Sequence, residues 1–586
     1  MFRIFGYLKY YKKEAILGPL CKLIEAIFEL IVPLVMANII DIGIANGDKR
    51  YVFSHGLLMV LLGVSGLLFA IVCQYFASKA SQGVGTRLRN DMFKHIGELS
   101  YTEIDKIGTP SLITRITNDI NQVQVAVAML IRLVVRAPFL IIGSIVLSMM
   151  IDIKLSLVFL IAAPLVAIAL YFIMTRSSKL YRIIQKKLDK ISLITRENLS
   201  GVRVIRAFSK QKDQEERFDN ANDDFLKSSI RVGKISALLN PITSAIINFG
   251  IIAIIWFGGI QVDSGSLMQG HIIAFVNYMT QILLALIVVA NLVILFTKSS
   301  ASAARINEVF DLIPSIKQGS IDKVTDINKS TPKIEFKDVT FCYSGSSEPS
   351  LSNISIKIYP GETIGIIGGT GSGKSTFVNL IPRFYDVTQG EVLVDGINVK
   401  DYKFKTLRNK IGMVPQKAVL FSGTIMDNMR WGKENATLDE IKRAINIAQA
   451  SDFIENSPEK YDTLIMQAGK NLSGGQKQRL TIARALVSNP EILILDDSAS
   501  ALDYATDAAL RQALKYNTKN MTVIMVSQRA TSIKHANKII VLDDGIAVGI
   551  GTHDELLKTC EIYRDICGWQ SATPKRGGGE APLQSG

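Results

Sequence analysis

The chain has 586 residues, 48% of them hydrophobic and only 20% charged, with a mean hydropathy of +0.26; that is more apolar than the cores of a soluble protein of this size require. Its 66 Lys+Arg against 52 Asp+Glu give a formal charge of +14, but the basic residues flank apolar runs, as in KYYKKE and SSKLYRIIQKKLDK, which argues for membrane-topology signals and against nucleic-acid binding. Cys21, Cys73, Cys342, Cys560 and Cys567 show no CxxC or Cys/His ligand spacing, which argues against a disulfide framework and a zinc site.

No short apolar core followed by a small-residue cleavage site opens the chain, so the first apolar run is expected to stay as an anchor. Six apolar stretches follow, near 15–40, 53–78, 129–150, 155–175, 237–261 and 272–297. Each reaches the roughly 20 residues that a membrane-crossing helix needs. The connections alternate: 41–52, 151–154 and 262–271 are short, whereas 79–128 and 176–236 are long, polar and rich in Lys and Arg. The positive-inside bias places both long connections, both termini and everything after the sixth span in the cytoplasm of a cell (plasma or inner) membrane. Helical periodicity in RLRNDMFKHIGEL and ENLSGVRVIRAFSKQKDQEERF predicts that the long connections are helices running on beyond the membrane and turning back. A 25-residue extension reaches roughly 40 Å, far enough to touch a soluble domain.

From about 332 the pattern changes to β-rich runs, KIEFKDVTFCY, ETIGIIG, EVLVDG, EILILDD, TVIMVSQ and KIIVLDDG, interleaved with helical segments. Such alternation predicts an α/β domain, 332–570, with a largely parallel sheet. Residues 298–331 are expected to be the linker, following a membrane domain of 1–297. The tail 571–586, SATPKRGGGEAPLQSG, has no apolar periodicity and reads as a disordered end or an artificially appended stretch.

The segment GGTGSGKST at 368–376 fits GxxxxGK[ST], with Gly368, Gly373, Lys374 and Ser375 at the fixed positions and Gly369, Thr370, Gly371, Ser372 and Thr376 completing the run. It lies between the strand TIGIIG and the helical run TFVNLIP, the context in which this motif binds phosphates. Glycines there let backbone N–H groups wrap the phosphates, Lys374 supplies a point charge and Ser375 offers a hydroxyl to Mg²⁺. ILILDD supplies a second strand whose Asp496 would hold Mg²⁺ directly or through water. Finally, the Ser-Gly-Gly that opens the helix of NLSGGQKQRLTIARAL makes a second anion-binding N-terminus, one more than a single nucleotide needs.

At these residues the chain resembles the ATP-binding cassette (ABC) family, in which LSGGQ is the signature sequence. The resemblance implies ATP and Mg²⁺ as cofactors, and cassettes packed head to tail. Ser473, Gly474, Gly475 and Gln476 would then face ATP held by another subunit. It also implies that Tyr343 in FCY stacks on adenine, that Gln416 in VPQ serves the Mg²⁺ and coupling loop, and that Ser500, Ala501, Leu502 and Asp503 cross the dimer interface. Six spans ahead of one cassette are similar to the half-transporters of the ABC exporter fold. GTPSLITRITNDINQV (108–123) and ENLSGVRVIRAF (197–208) resemble its two cytoplasmic connections, whose short coupling helices are expected to press on cassettes. The implied fold class is an all-α six-helix membrane domain with long cytoplasmic helical extensions, followed by an α/β P-loop cassette.

Three positions depart from the family pattern. Asp497 stands where a Glu acts as general base or positions water, Gln528 in VSQR stands where a switch His is usual, and Gln467 in IMQAGK stands where a Glu is common. Asp is one methylene shorter than Glu, which sets its carboxylate roughly 1.5 Å back, and a misplacement of that size costs about 100-fold. Gln528 can hydrogen-bond a γ-phosphate but carries no positive charge. With the signature intact, the expectation is the degenerate-site subunit of a heterodimer. Its own site binds ATP and hydrolyses it poorly, and a second half-transporter brings the functional Glu and His.

Glu25 and Glu29, four apart in the first span, are candidates for a substrate cavity, with neutralisation of Glu25 by Lys22, or a place near the headgroups for both, as the alternative. Asn240 and Asn248 in the fifth span are further cavity candidates, while Arg132 and Arg136 read as snorkelling or paired. The expected function is ATP-driven export of amphipathic compounds such as drugs, peptides or lipids, from among membrane lipids. A lipid or peptide flippase, or an importer sharing the exporter fold, is the alternative within transport. From another class comes an ATP-gated channel or membrane sensor, disfavoured by the lack of a long cytoplasmic regulatory insert.

Overall fold

The computed structural model describes residues 3, 6–322, 330–518 and 520–571. Part of the expected linker, 323–329, and the tail from 572 lie outside the described residues. The chain divides into two compact units, Met1–Gly97 with Thr109–Leu312, and Glu98–Gly108 with Ile313–Gly586.

In the first unit six helical runs are long and apolar enough to cross a membrane: Gly6–Ile44, Lys49–Glu98, Thr109–Ile151, Ile153–Ser200, Gln211–Asp263 and Gln269–Phe310. Each encloses one of the apolar stretches, as expected where every backbone polar group must be satisfied within its own segment. Their main helices are α1 (Lys12–Asn38), α2 (Lys49–Glu98), α4 (Arg136–Ile151), α5 (Ile153–Ser200), α6 (Gln211–Ala237), α7 (Leu239–Asp263) and α8 (Gln269–Phe310), with α3 (Tyr101–Ile107) between the second and third runs. Asp152 separates α4 from α5: its backbone is extended, and its carboxylate caps the new helix by accepting from Leu155 N at 2.6 Å. Single π-helical turns interrupt the α-helical path at Ile39–Ile44, Arg115–Asp119 and Leu130–Val134.

The core of this unit joins α1, α4, α5, α7 and α8. Phe159 stacks on Phe275 with centroids 5.6 Å apart, and the Tyr278 hydroxyl donates to Leu30 O at 2.8 Å. Gly270 lets α8 approach α1 closely, since a Cβ there would stand 2.4 Å from Ala37 O. The apolar stretch of α2, by contrast, is only 6% buried, so it faces outward from this core.

Both long connections are helical beyond the apolar stretches. After α2 the chain turns through α3 and returns from Thr109; after α5 it passes through the short helix Val202–Ala207 into α6. The expected linker differs. Helix α8 continues to Phe310, so residues 298–310 are helix, with Ser299, Ser302, Ala303, Ile306 and Val309 buried along one face. Hydropathy falls at Lys298 but the helical period continues, and the period sets the boundary.

The second unit holds β1 (Ile334–Phe341), β2 (Leu351–Ile358), β3 (Thr363–Gly368), β4 (Gln389–Val394), β5 (Ile397–Asn398), β6 (Ile411–Val414), β7 (Gly423–Thr424), β8 (Leu464–Ile465), β9 (Ile492–Asp496), β10 (Thr522–Val526), β11 (Lys538–Asp543) and β12 (Ile546–Gly551). A six-stranded sheet runs β12-β11-β3-β10-β9-β6, parallel except for the edge strand β12. A four-stranded sheet, β2-β1-β4-β5, is antiparallel. The expectation of one largely parallel sheet therefore needs correction for KIEFKDVTFCY and EVLVDG. In β1, Glu335 and Lys337 are less buried than Ile334 and Phe336, the alternation of a sheet covered on one face, whereas ILILD of β9 is buried throughout. Phe336 of β1 stacks on Phe377 at 4.1 Å, which packs the antiparallel sheet against the helix that follows β3. Where four strand ends converge, Lys333 and Lys410 both bond Asp395 at 2.7 Å and both pair with Glu491.

Candidate functional site

Strand β3 delivers Gly368 to a tight crossing, where a Cβ would stand 2.0 Å from Leu542 O of β11. Beyond it Gly371 and Gly373 take positive φ, 85° and 92°, which only glycine adopts without strain. The loop then enters helix α9 (Lys374–Leu380). The Lys374 ammonium donates to Gly368 O at 2.9 Å, to Gly369 O, and to Ser372 Oγ at 3.2 Å. Burial pulls its pKa below the usual lysine value, against the opposing pull of Asp497 and Asp496.

Strand β9 pairs with β10 and with β6 and ends at Asp496. Its Oδ1 accepts from Ser375 Oγ at 3.1 Å. Burial raises the Asp496 carboxyl above the ordinary carboxylate range, Ser375 opposes this, and the neighbouring Asp497 adds to it. Asp497 turns sharply, with φ of 47°. Its N–H donates to Val526 O at 3.1 Å, and its own carbonyl accepts from Ser500 Oγ at 2.8 Å. Burial raises the Asp497 carboxyl too; Lys374, a hydrogen bond from Gln416 and the charge of Arg529 oppose it. Gln528, at the end of β10, donates from Nε2 to Asp497 Oδ2 at 3.4 Å.

Thus Lys374, Ser375, Gln416, Asp496, Asp497 and Gln528 converge from four segments of chain. The Tyr343 hydroxyl bonds Thr376 Oγ1 at 3.1 Å, and its ring stands edge-on to Phe341 and Tyr385 at 4.8 and 5.2 Å. Tyr385 in turn donates to Asp105 of α3 at 2.7 Å.

Ser473 caps α10 (Gly474–Val487) in a capping box: its Oγ accepts from Gln476 N at 3.2 Å, and Gln476 Oε1 accepts from Ser473 N at 2.9 Å. The run after Asp497 lies alongside, since a Cβ on Gly475 would meet Ala501 O at 3.3 Å. Leu502 is buried, while Asp503 caps α11 (Tyr504–Asn517), accepting from Thr506 N at 2.8 Å. Gln467 is exposed in a short turn beside Ala468, whose φ is 57°.

Comparison with known proteins accounts for both units. Residues 15–286 match the family described as ABC transporter transmembrane region, and 351–500 match the one described as ABC transporter. An uncharacterized ABC transporter ATP-binding protein of Mycobacterium tuberculosis is 37% identical across 98% of each chain. The chain belongs to the ABC transporter family. It is 34% identical to a putative multidrug export ATP-binding/permease protein of Bacillus subtilis, over 97% of this chain and 98% of that one. It is 30% identical to an ATP-dependent lipid A-core flippase of Vibrio vulnificus, over 96% of each. A solved bacterial Atm1-family ABC exporter shares its fold, with a TM-score of 0.79 and 24% identity over 96% of this chain and 100% of that one.

The chain is therefore a multi-pass membrane protein whose ATP-binding domain couples ATP hydrolysis to transport. The ABC phosphate loop has room for its nucleotide, because nothing lies within 4 Å of a Cβ built on Gly369 or Gly371. The paired Ser375 hydroxyl and Asp496 carboxylate make an oxygen donor set of the kind Mg²⁺ takes.

Within the spans, Lys22 Nζ lies 2.7 and 2.6 Å from the two Glu25 oxygens, and Arg136 lies 2.6 Å from Glu29. Each candidate cavity carboxylate thus already holds a counter-charge. Asn240 and Asn248 are exposed on α7. The sequence reading missed Arg529, which lies 4.9 Å over the Tyr504 ring and acts on Asp497, and Ser500 as a holder of the Asp497 turn. A Ser three residues beyond the acidic pair is the only sequence signal for the latter.

Proposed function

We propose that this chain is the binding half of a heterodimeric ABC exporter for amphipathic compounds, with its cassette and both termini in the cytoplasm. Its own phosphate loop holds ATP and Mg²⁺ through Lys374, Ser375, Gln416 and Asp496, with Tyr343 against adenine, and hydrolyses slowly. Its Ser473–Gln476 run, with Ser500–Asp503 beside it, completes the hydrolytic site on a second subunit that supplies a Glu and a His. The observation that carries this reading is the contact between Asp497 and Gln528. The shortened carboxylate is tied to a neutral amide where the family places a Glu and an imidazole, so neither group offers a well-placed base or a positive charge. Names of the relatives favour export, and the lipid A-core flippase among them supports a lipid as a second substrate reading. An ATPase assay of this chain alone against the two-subunit complex tests the proposal. Slow turnover alone and fast turnover in the complex is expected; equal rates overturn it.

A further inference from the structure

We propose that a phosphate-ester anion, supplied by the headgroup of an anionic phospholipid, seats in a cavity of about 290 Å³ between α1, α2 and the π turn Leu130–Val134, lined by Lys22, Ala70, Ile71, Cys73, Gln74 and Arg132. Each polar side chain that reaches it leaves a donor to spare. Among the described residues Arg132 forms no hydrogen bond or ion pair, although it lies in an apolar span where charges are normally paired. Lys22 spends two of its three donors on Glu25, which leaves the third for the cavity. Gln74 is exposed to it with its amide unused. Glu25 cancels one of the two cations, so the cavity carries a net positive charge and selects an anion. The guanidinium fork suits two oxygens of a phosphate.

Depth separates a headgroup from a drug-sized substrate. Lys79 pairs with Glu14 at 2.8 Å and marks a polar level on α1 and α2. From there the cavity lies roughly 12 Å along α1, from Glu14 to Lys22, and roughly 7 Å along α2, from Lys79 to Gln74. Both depths fall within the half of a roughly 30 Å hydrocarbon core that begins at this polar level. Leu67, Leu68, Ile71 and Tyr75 of α2 and Leu20 of α1 are exposed beside it, an apolar track on which acyl chains can lie. The volume falls just under that of pockets for drug-sized ligands, and basic pockets between spanning helices hold anionic headgroups in this way. The proposal does not depend on whether the transporter is a heterodimer.

The test uses the full-length chain in nanodiscs of phosphatidylcholine with and without phosphatidylglycerol, counting retained lipids by native mass spectrometry. The wild type is expected to retain phosphatidylglycerol in preference to phosphatidylcholine. Arg132→Gln should weaken that retention about tenfold or more, Arg132→Lys, which keeps the charge but loses the fork, should restore only part of it, and Gln74→Leu, which unpairs no charge, should weaken it in the same direction. A parallel titration of inorganic phosphate against the detergent-solubilised chain identifies the source: Arg132-dependent phosphate binding without a phosphatidylglycerol preference assigns the same cavity to a free phosphate. Retention that is equal in wild type, Arg132→Gln and Gln74→Leu, with no Arg132-dependent phosphate binding, overturns the proposal.

Discussion

Asp497 and Gln528 touch, so their substitutions act as one unit rather than as two separate losses. In a double-mutant cycle, Asp497→Glu or Gln528→His alone should raise the ATPase of the isolated chain only a few-fold. The double variant should raise it by about 100-fold, more than the two single effects multiplied. Strictly multiplicative effects would contradict the contact. Burial also raises the Asp497 carboxyl above its unfolded value. A raised pKa gives a contribution that is present at low pH and lost as pH rises through the folded value, so at neutral pH the ionised group costs stability. Asp497→Asn should therefore raise the melting temperature of the nucleotide-free protein near pH 7, with the gain shrinking as pH falls into the ordinary carboxylate range. Thermal melts across pH check the sign.

At the level of elements, α3 shows how little of its setting a linear pattern carries. Ser100 and Glu103 form a capping box, and the same side chains also accept from Ile316 N at 3.1 Å and Ser315 N at 3.3 Å. Ser100→Ala should cost about 1 kcal/mol and speed amide exchange in residues 315–316, a change that a purely local cap would not produce. The quartet of Lys333, Asp395, Lys410 and Glu491 is similarly non-local. Asp395→Asn leaves the buried Lys333 and the half-buried Lys410 to share the single carboxylate of Glu491 and should cost about 3 kcal/mol of cassette stability by chemical denaturation. The six spans, the phosphate loop, the β9 acids and the signature were legible because each is a contiguous run with its own period or spacing. The antiparallel sheet, the Gln416–Asp497 and Gln528–Asp497 contacts and the Arg136–Glu29 pair were not, because they join segments far apart in sequence. Helical period past Lys298 was present in the sequence, but hydropathy masked it.

For the whole molecule, the proposed unequal pair makes opposite demands on the two ends of one cassette. In the two-subunit complex, Ser473→Ala should reduce ATP turnover at least tenfold more than Asp497→Ala does; the reverse order of losses would assign hydrolysis to this chain's own phosphate loop. The division of the chain also has a consequence in time. The Glu98–Gly108 segment belongs to the second unit, yet the rest of that unit begins only at Ile313, and Phe384 and Tyr385, on which Tyr101 packs, come later still. At roughly 5–20 residues per second of synthesis, the wait before those residues emerge is on the order of 15–60 s. During that interval the ribosome has already released a piece of a domain whose remainder does not yet exist. A helix as short as α3 is marginal on its own, and its self-contained capping box is what the nascent chain has to hold the turn ready until the cassette arrives to receive it.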